Sequence, residues 1–221
     1  MARLVEQYRL KAAILQMEDQ PHRNRDDLIA FRLRGDLTKT TADRREAFDW
    51  VKRSFVTIKP PEDYRRDNRR DLNWLIGTIE EAVRVHDCKL VVIDPWNEVE
   101  HVFGVNESET RYTNDALMRL KEISRSLNVG VIIVTHPGKE GGRGTDITKL
   151  DLYDVSGSSA WYNKSDYGVN VMRHPLAKFV SYVKISKTKN HRLMGTPGIL
   201  EMMWHADRAD YQCLGRYDPD V

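Results

Sequence analysis

Several stretches of this 221-residue chain carry side chains that could do chemistry together. Asp94 ends the apolar run LVVID and precedes Pro95-Trp96-Asn97-Glu98. A carboxylate at the C-terminal end of a buried parallel strand faces the crevice where open α/β sheets bind ligands, and there it can hold the water shell of a magnesium ion. Strands also end in Asp simply to cap a loop. His136 ends a second apolar run, VIIVTH, and so can deliver an imidazole to the same edge; the alternative is a satisfied structural histidine. Directly after it, PGKEGGRGTD sets Gly138, Gly141, Gly142 and Gly144 around Lys139 and Arg143. No G-x-x-x-x-G-K-[ST] frame occurs and no helix is predicted to follow, so this is not a phosphate-cradling loop of that kind. Two cations in a glycine loop suit the backbone of a polyphosphate; a plain surface loop is the other reading. The last stretch is KISKTKNHR, with Lys184, Lys187, Lys189 and Arg192 and no acid. If residues 180–186 form a strand, Lys184 points outward and the others form its exit. There they could reach a phosphate on another subunit or merely keep a strand edge from aggregating.

Asp94 and His136 meet only if their strands are neighbours and parallel. The segment between them supports that. Asn106 and Glu109 read as a capping box, Leu117, Leu120, Ile123 and Leu127 recur at helical spacing, and Gly130 precedes VIIVT. Strand, helix and strand then make a βαβ unit, for which the crossover is right-handed. Upstream, Leu4, Tyr8, Ala12 and Leu15 predict one amphipathic helix through MARLVEQYRLKAAILQ. A second helix is expected near Asp27 to Arg34 and a third after a cap at Thr41, carrying Phe48 and Val51. A short strand, Phe55 to Ile58, stops at Pro60-Pro61, and the loop EDYRRDNRR leads into a helix with Leu72, Leu75, Ile76, Ile79 and Val83 on one face. Downstream, YGVNVMRH, FVSYVKISK and ILEMMWH predict three more strands, at least two of them in a hairpin or meander. Between these regions, Tyr153 to Ser158 and Trp161 to Asn163 read as a polar, aromatic helix start. Trp161 there packs in a core or stacks on a base.

Composition narrows the class. With 40% hydrophobic and 31% charged residues the chain can bury a core and is neither disordered nor collagen-like. Lysine plus arginine number 35 against 33 acids, a net +2, which excludes a histone-like protein but not a local basic patch. Two cysteines, Cys88 and Cys213, cannot form a disulfide framework or a four-cysteine zinc site and read as inert thiols. No apolar run reaches the roughly 18 residues of a membrane span, and the N-terminus shows no cleavage-site pattern. A soluble, intracellular α/β protein is expected, with no membrane partner.

Together, LVVIDPWNEVEH, ALMRLKEISRSLNV, VIIVTHPGK, LYDVSGSSAWYNKSDYGVNVMR and KISKTKNHRLMGTPG resemble the hexameric replicative DNA helicases. The closest branch is the DnaB and Twinkle-like, phage primase-helicase group. The resemblance is strongest over residues 89–205. It implies a RecA-like P-loop NTPase core: a mainly parallel sheet with flanking helices and C-terminal antiparallel strands, N-terminally incomplete. Residues 1–221 would be one partial domain, with 1–88 mainly helical and 89–221 carrying the strands and loops. Asp94 matches the Walker B aspartate that holds magnesium. His136 matches the sensor of the γ-phosphate, and Lys139, Gly141, Gly142 and Arg143 match a channel loop that touches single-stranded DNA. The segment His101 to Glu107 matches a second channel element. Arg192, with Lys189 as the neighbouring choice, falls where an arginine finger reaches the next subunit's nucleotide.

ATP and magnesium are the implied cofactors, single-stranded DNA the ligand, and a hexameric or heptameric ring the assembly. The family pattern also includes a strand with its phosphate-binding Walker A loop and, after the next strand, a catalytic glutamate. Both are expected to be missing here, which would leave the strands before Asp94 and His136 with an unpaired apolar edge. The chain alone is therefore expected to be inactive, its missing loop supplied by a separate chain. A non-catalytic nucleic-acid-binding or ring-assembly module, or a recombinase-like ATPase, is the competing reading.

Overall fold

The apolar segment AAIL does not continue the N-terminal helix. In the computed structural model, which describes residues 1–221 except 19, 37, 61–68, 138–145, 156, 157 and 219–221, helix α1 (Ala2–Tyr8) ends at Arg9. There the backbone turns left-handed (φ 51°), and strand β1 (Ala12–Gln16) follows. All five β1 residues are buried, Ala12, Ala13 and Leu15 completely. A strand covered on both faces shows a continuous apolar run, and over so few residues that run carries no period to separate it from a helix. This corrects the single amphipathic helix expected from Leu4, Tyr8, Ala12 and Leu15.

Strand β1 lies at the heart of a parallel sheet. The order is β2 (Phe55–Ile58), β1, β3 (Leu90–Asp94), β4 (Gly130–Ile133), and Ala12 faces Phe55 on one side and Leu90 on the other. Helices α2 (Pro21–Arg32) and α3 (Thr41–Ser54) link β1 to β2. Helix α4 (Leu72–Arg84) links β2 to β3, and α5 (Glu109–Ser126) links β3 to β4. One face of the sheet packs Ala12, Ile14, Phe55 and Leu90 against Val5, Leu28, Phe31, Trp50 and Val51. Alternation sends Ala13, Leu15, Val91 and Ile93 to the other face, and each of these is fully buried too, so both faces are covered.

The helix caps shift slightly from their expected positions. Thr40, not Thr41, caps α3: its hydroxyl accepts from the Asp43 N–H, and the Asp43 carboxylate accepts from the Thr40 N–H at 2.9 Å. Ser108 rather than Asn106 starts α5, its Oγ accepting from the Arg111 N–H at 3.3 Å, while Asn106 sits at φ 60°.

Strand β4 was expected to be buried on both faces like β3, and it is not. Its residues alternate between exposed and half-buried, with Ile132 39% exposed. The reason is position: β3 is paired on both sides, whereas no described strand pairs with the outer edge of β4. The open apolar edge expected for both strands is thus confined to the one before His136.

Residues 1–105 with 118–136 form one compact unit, and residues 106–117 with 137–221 a second. The second holds an antiparallel meander, β5 (Tyr167–Arg173), β6 (Val180–Thr188), β7 (Gly198–His205) and β8 (Asp210–Arg216), in that order. Strand β8 was not anticipated: DYQCLGR is short on apolar residues and is mostly exposed. Helix α6 (Ser158–Lys164) buries Trp161 at 6% exposure, the packing reading of that residue, while Tyr162 stacks on half-exposed Tyr153 at 4.8 Å. Both cysteines are free thiols, Cys88 buried and Cys213 exposed. Among the described residues no helix is long and apolar enough to cross a membrane.

Candidate functional site

The C-terminal edge of the parallel sheet gathers polar side chains from three adjacent strands. Gln16, the last residue of β1, is the register partner of Asp94, the last of β3, so the two side chains leave the sheet on the same face. The pairing runs one step further through Met17 N–H to Asp94 C=O at 3.0 Å. Gln16 is only 4% exposed, and its Oε1 accepts from Asn24 Nδ2 of α2 at 2.5 Å, which ties the end of β1 to the helix that follows. Asp94 is half-buried.

On the other side of β3, Val134 N–H donates to Ile93 C=O at 2.9 Å, and Trp96 N–H returns to Val134 C=O at 2.8 Å. The turn after Asp94 is thereby laid against the segment that carries His136. Asn97 completes the link, its Oδ1 accepting from His136 N–H at 2.9 Å and from Thr135 Oγ1 at 3.2 Å.

A further carboxylate lies at this edge. Glu18, two residues beyond β1, approaches His136 Nε2 with Oε1 at 3.7 Å. The glutamate that the family pattern has after a core strand was expected to be missing here, yet a glutamate does follow β1. Reading residues 12–16 as helix hid the strand, and the glutamate went with it. The signal was present all the same, since AAILQ followed by Met-Glu repeats the apolar-run-then-acid pattern of LVVID. The pair is exposed, 58% for His136 and 51% for Glu18, and is an ion pair only when the imidazole carries a proton. In so wet a setting it contributes about 1 kcal/mol at most to stability, so its place at the sheet edge is the informative property.

Lys139, Gly141, Gly142 and Arg143 are outside the described residues. Beyond Asp94, the His101 ring packs at a 40° tilt against buried Trp96, 5.0 Å between centroids, and the loop that follows exposes Val102, Phe103 and Val105, the last almost completely.

In the second unit, Lys184 does not point outward as expected: its Nζ donates to the carbonyls of Thr148 at 2.8 Å and Leu150 at 2.6 Å. Lys187 Nζ lies over the Tyr162 ring at 4.8 Å and donates to the Tyr162 carbonyl. Long lysine stems can pack along the sheet while their ammonium groups reach backbone carbonyls. Lys189 pairs with Asp166 at 3.2 Å. Arg192, on the short helix α7 (His191–Met194), is exposed and makes no hydrogen bond or ion pair with a described residue.

Comparison with known proteins places this arrangement. Residues 5–142 match the AAA domain family. The Twinkle homolog protein, chloroplastic/mitochondrial, of Arabidopsis thaliana is 29% identical over 136 residues, 60% of this chain. That stretch is 18% of the plant protein, so the chain spans less than a fifth of this relative's length. Among solved structures, an isolated ATPase domain superposes with a TM-score of 0.71 at 16% identity, covering 95% of this chain and 76% of that one. A DnaB-like replicative helicase, solved for its interactions with primase, superposes with the same TM-score of 0.71 and 16% identity over 95% of this chain and 52% of that one. These superpositions establish the shared RecA-like α/β fold. The chain therefore belongs to the AAA domain family, and it is similar to the plant Twinkle homolog and to the ATPase domains of DnaB-like helicases.

Proposed function

We propose that this chain supplies the hydrolytic edge of an ATP-driven DNA helicase, completed by a phosphate-binding loop from outside residues 1–221. The observation that carries the proposal is the convergence of Glu18, Asp94 and His136 at the C-terminal ends of adjacent parallel strands. Among the described residues no group of three or more His, Cys, Asp or Glu could hold a metal. A single half-buried carboxylate suits magnesium, which keeps most of its water and takes its other ligands from phosphates. Asp94 would hold it through water, and the ion, when bound, would neutralise charge on the phosphates.

The chain's own residues then divide the work. Glu18 orients the attacking water and accepts its proton. His136, within reach of Glu18, reports the state of the terminal phosphate. In the second unit Arg192, unlike Lys189, is uncommitted and serves a nucleotide held by a neighbouring subunit of a ring. Lys139, Gly141, Gly142 and Arg143, which follow His136 directly, grip the backbone of single-stranded DNA.

The sheet edges support a missing partner strand. Residues 130 and 134 direct their amides to β3 (Gly130 N–H to Lys89 C=O, Val134 N–H to Ile93 C=O), so the intervening Val131 and Ile133 direct theirs outward. The opposite edge, β2, is followed by Lys59-Pro60, the kind of sequence that discourages further pairing, whereas GVIIVT has neither charge nor proline. A parallel strand carrying the phosphate loop would pair along β4. The ring would work in the cytoplasm.

The test is calorimetry and a turnover assay with Mg-ATP and single-stranded DNA. The chain alone should neither hydrolyse nor tightly bind nucleotide. Together with a polypeptide carrying the phosphate-loop strand it should do both, and Asp94→Ala should abolish turnover. Turnover by the isolated chain that Asp94→Ala removes would sink the idea of an incomplete site.

A further inference from the structure

The segment carrying His136 loses its backbone support just where it is needed. Strand β4 ends at Ile133, and the last bond of its ladder to β3 is Val134 N–H to Ile93 C=O. Continuing the ladder would need partners beyond Asp94. The chain there turns away through Pro95, which has no N–H, into a single turn of 3₁₀ helix, Trp96–Glu98. Thr135 and His136 therefore run on without a described strand beside them.

Asn97 takes over that role with its side chain. Its Oδ1 accepts from the next backbone amide of the exposed segment, His136 N–H at 2.9 Å, and from the Thr135 hydroxyl at 3.2 Å. Because a backbone N–H can only donate, the atom facing it must be the amide oxygen, which fixes the orientation of the carboxamide. The turn holding Asn97 is itself anchored. Trp96 is 5% exposed, Val99 is 3% exposed and closes the turn on Trp96 C=O at 3.0 Å, and Trp96 N–H bonds Val134 C=O. Asn97, like Glu98, is exposed between these buried anchors. Water could replace its oxygen as an acceptor, so the two bonds add little to the stability of the fold. What water could not supply is a fixed position for His136.

We propose that Asn97 is the positioning residue for His136, and that it couples the turn after the magnesium-holding Asp94 to the histidine on the neighbouring strand. This rests on the ATPase reading above. A displacement of the Asp94 turn on nucleotide or metal binding moves Asn97, and Asn97 moves the His136 backbone with it. The role is distinct from catalysis: Asn97 acts through His136.

The experiment uses the turnover-competent assembly containing this chain, with His136→Ala as reference. Asn97→Ala should lower kcat roughly 10- to 100-fold, the usual cost of misplacing a supporting shell, with KM for Mg-ATP changed less than about twofold. Asn97→Asp, which keeps an oxygen at the same reach, should recover most of the loss, and Asn97→Leu should not. In the double variant, Asn97→Ala should cost nothing beyond His136→Ala alone, the non-additivity expected of residues acting as a unit. An active wild-type assembly in which Asn97→Ala keeps full kcat, or in which the two losses multiply, would overturn the coupling and leave the ATPase reading standing. A wild-type assembly without turnover would overturn both.

Discussion

Replacing Glu18 by Gln separates a catalytic carboxylate from an ornamental one, because the two roles differ in size. At 3.7 Å, with both side chains more than half exposed, the Glu18–His136 attraction is at most about 1 kcal/mol in a water-like dielectric when the imidazole is protonated, and less once salt and side-chain entropy are counted. Glutamine keeps the shape and loses the charge, so the unfolding midpoint in urea should barely move. If Glu18 takes the proton from the attacking water, the loss falls in the transition state instead. General-base catalysis is typically worth 10²- to 10⁴-fold, or about 3 to 5 kcal/mol. That is several times anything the exposed pair could contribute to folding. The assay is steady-state ATP turnover by the assembly holding this chain and a phosphate loop, with nucleotide affinity followed separately by calorimetry. The expected result is turnover down at least 100-fold with affinity within about threefold of wild type. Retention of a third or more of the turnover would refute the assignment, since no base supplying so little could be the one that matters.

Other predictions probe the fold and the second unit. Ala13, fully buried in β1 but on the outer face of the helix first expected there, should not tolerate Asp. An unpaired buried carboxylate costs several kcal/mol, a large share of a domain's stability, so Ala13→Asp should lose its cooperative urea transition; an unchanged midpoint would argue against β1. Lys184→Met removes the donor to the Thr148 and Leu150 carbonyls and should lower stability by about 2 kcal/mol in thermal melts, whereas an outward-pointing lysine would lose almost nothing. Burial alone would raise the Glu6 carboxyl, but hydrogen bonds from Arg34 and Arg32, together with their charges, hold it below the usual glutamate value. Its folded-state value being the lower one, its contribution to stability is present above the unfolded value of about 4.3 and is lost as the pH falls from there through the folded value. Glu6→Gln should flatten the dependence of the urea midpoint on pH in that acid range, and identical slopes would exclude the ion pairs. Ile133→Pro, at an outward amide of β4, should leave the chain folded while blocking a partner strand, read as loss of complementation in the turnover assay.

The sequence by itself determined the elements whose chemistry is local. LVVID was legible as a buried strand because both faces are covered, and the acid that follows it was legible with it. Helix α4 could be read from the spacing of Leu72, Leu75 and Ile79, all of which are buried. The strands of YGVNVMR and VSYVKISKT announced themselves through β-branched residues between turns.

What depends on neighbours was decided only by the tertiary structure. AAILQ is a strand because β2 and β3 flank it in register, which no residue within the segment encodes. Its misreading as helix concealed Glu18, and a carboxylate becomes a candidate only when a strand delivers it to an edge. VIIV is apolar enough for the sheet interior, yet it lies at an edge because the strand order ends there. Lys184 and Lys187 looked like free cations until the carbonyls of Thr148, Leu150 and Tyr162 were folded against them. Asn97 carried no signal at all. Its importance arises from hydrogen bonds with Thr135 and His136, thirty-eight and thirty-nine residues away; the βαβ reading brings the two strands together, but only the folded turn shows which side chain bridges them.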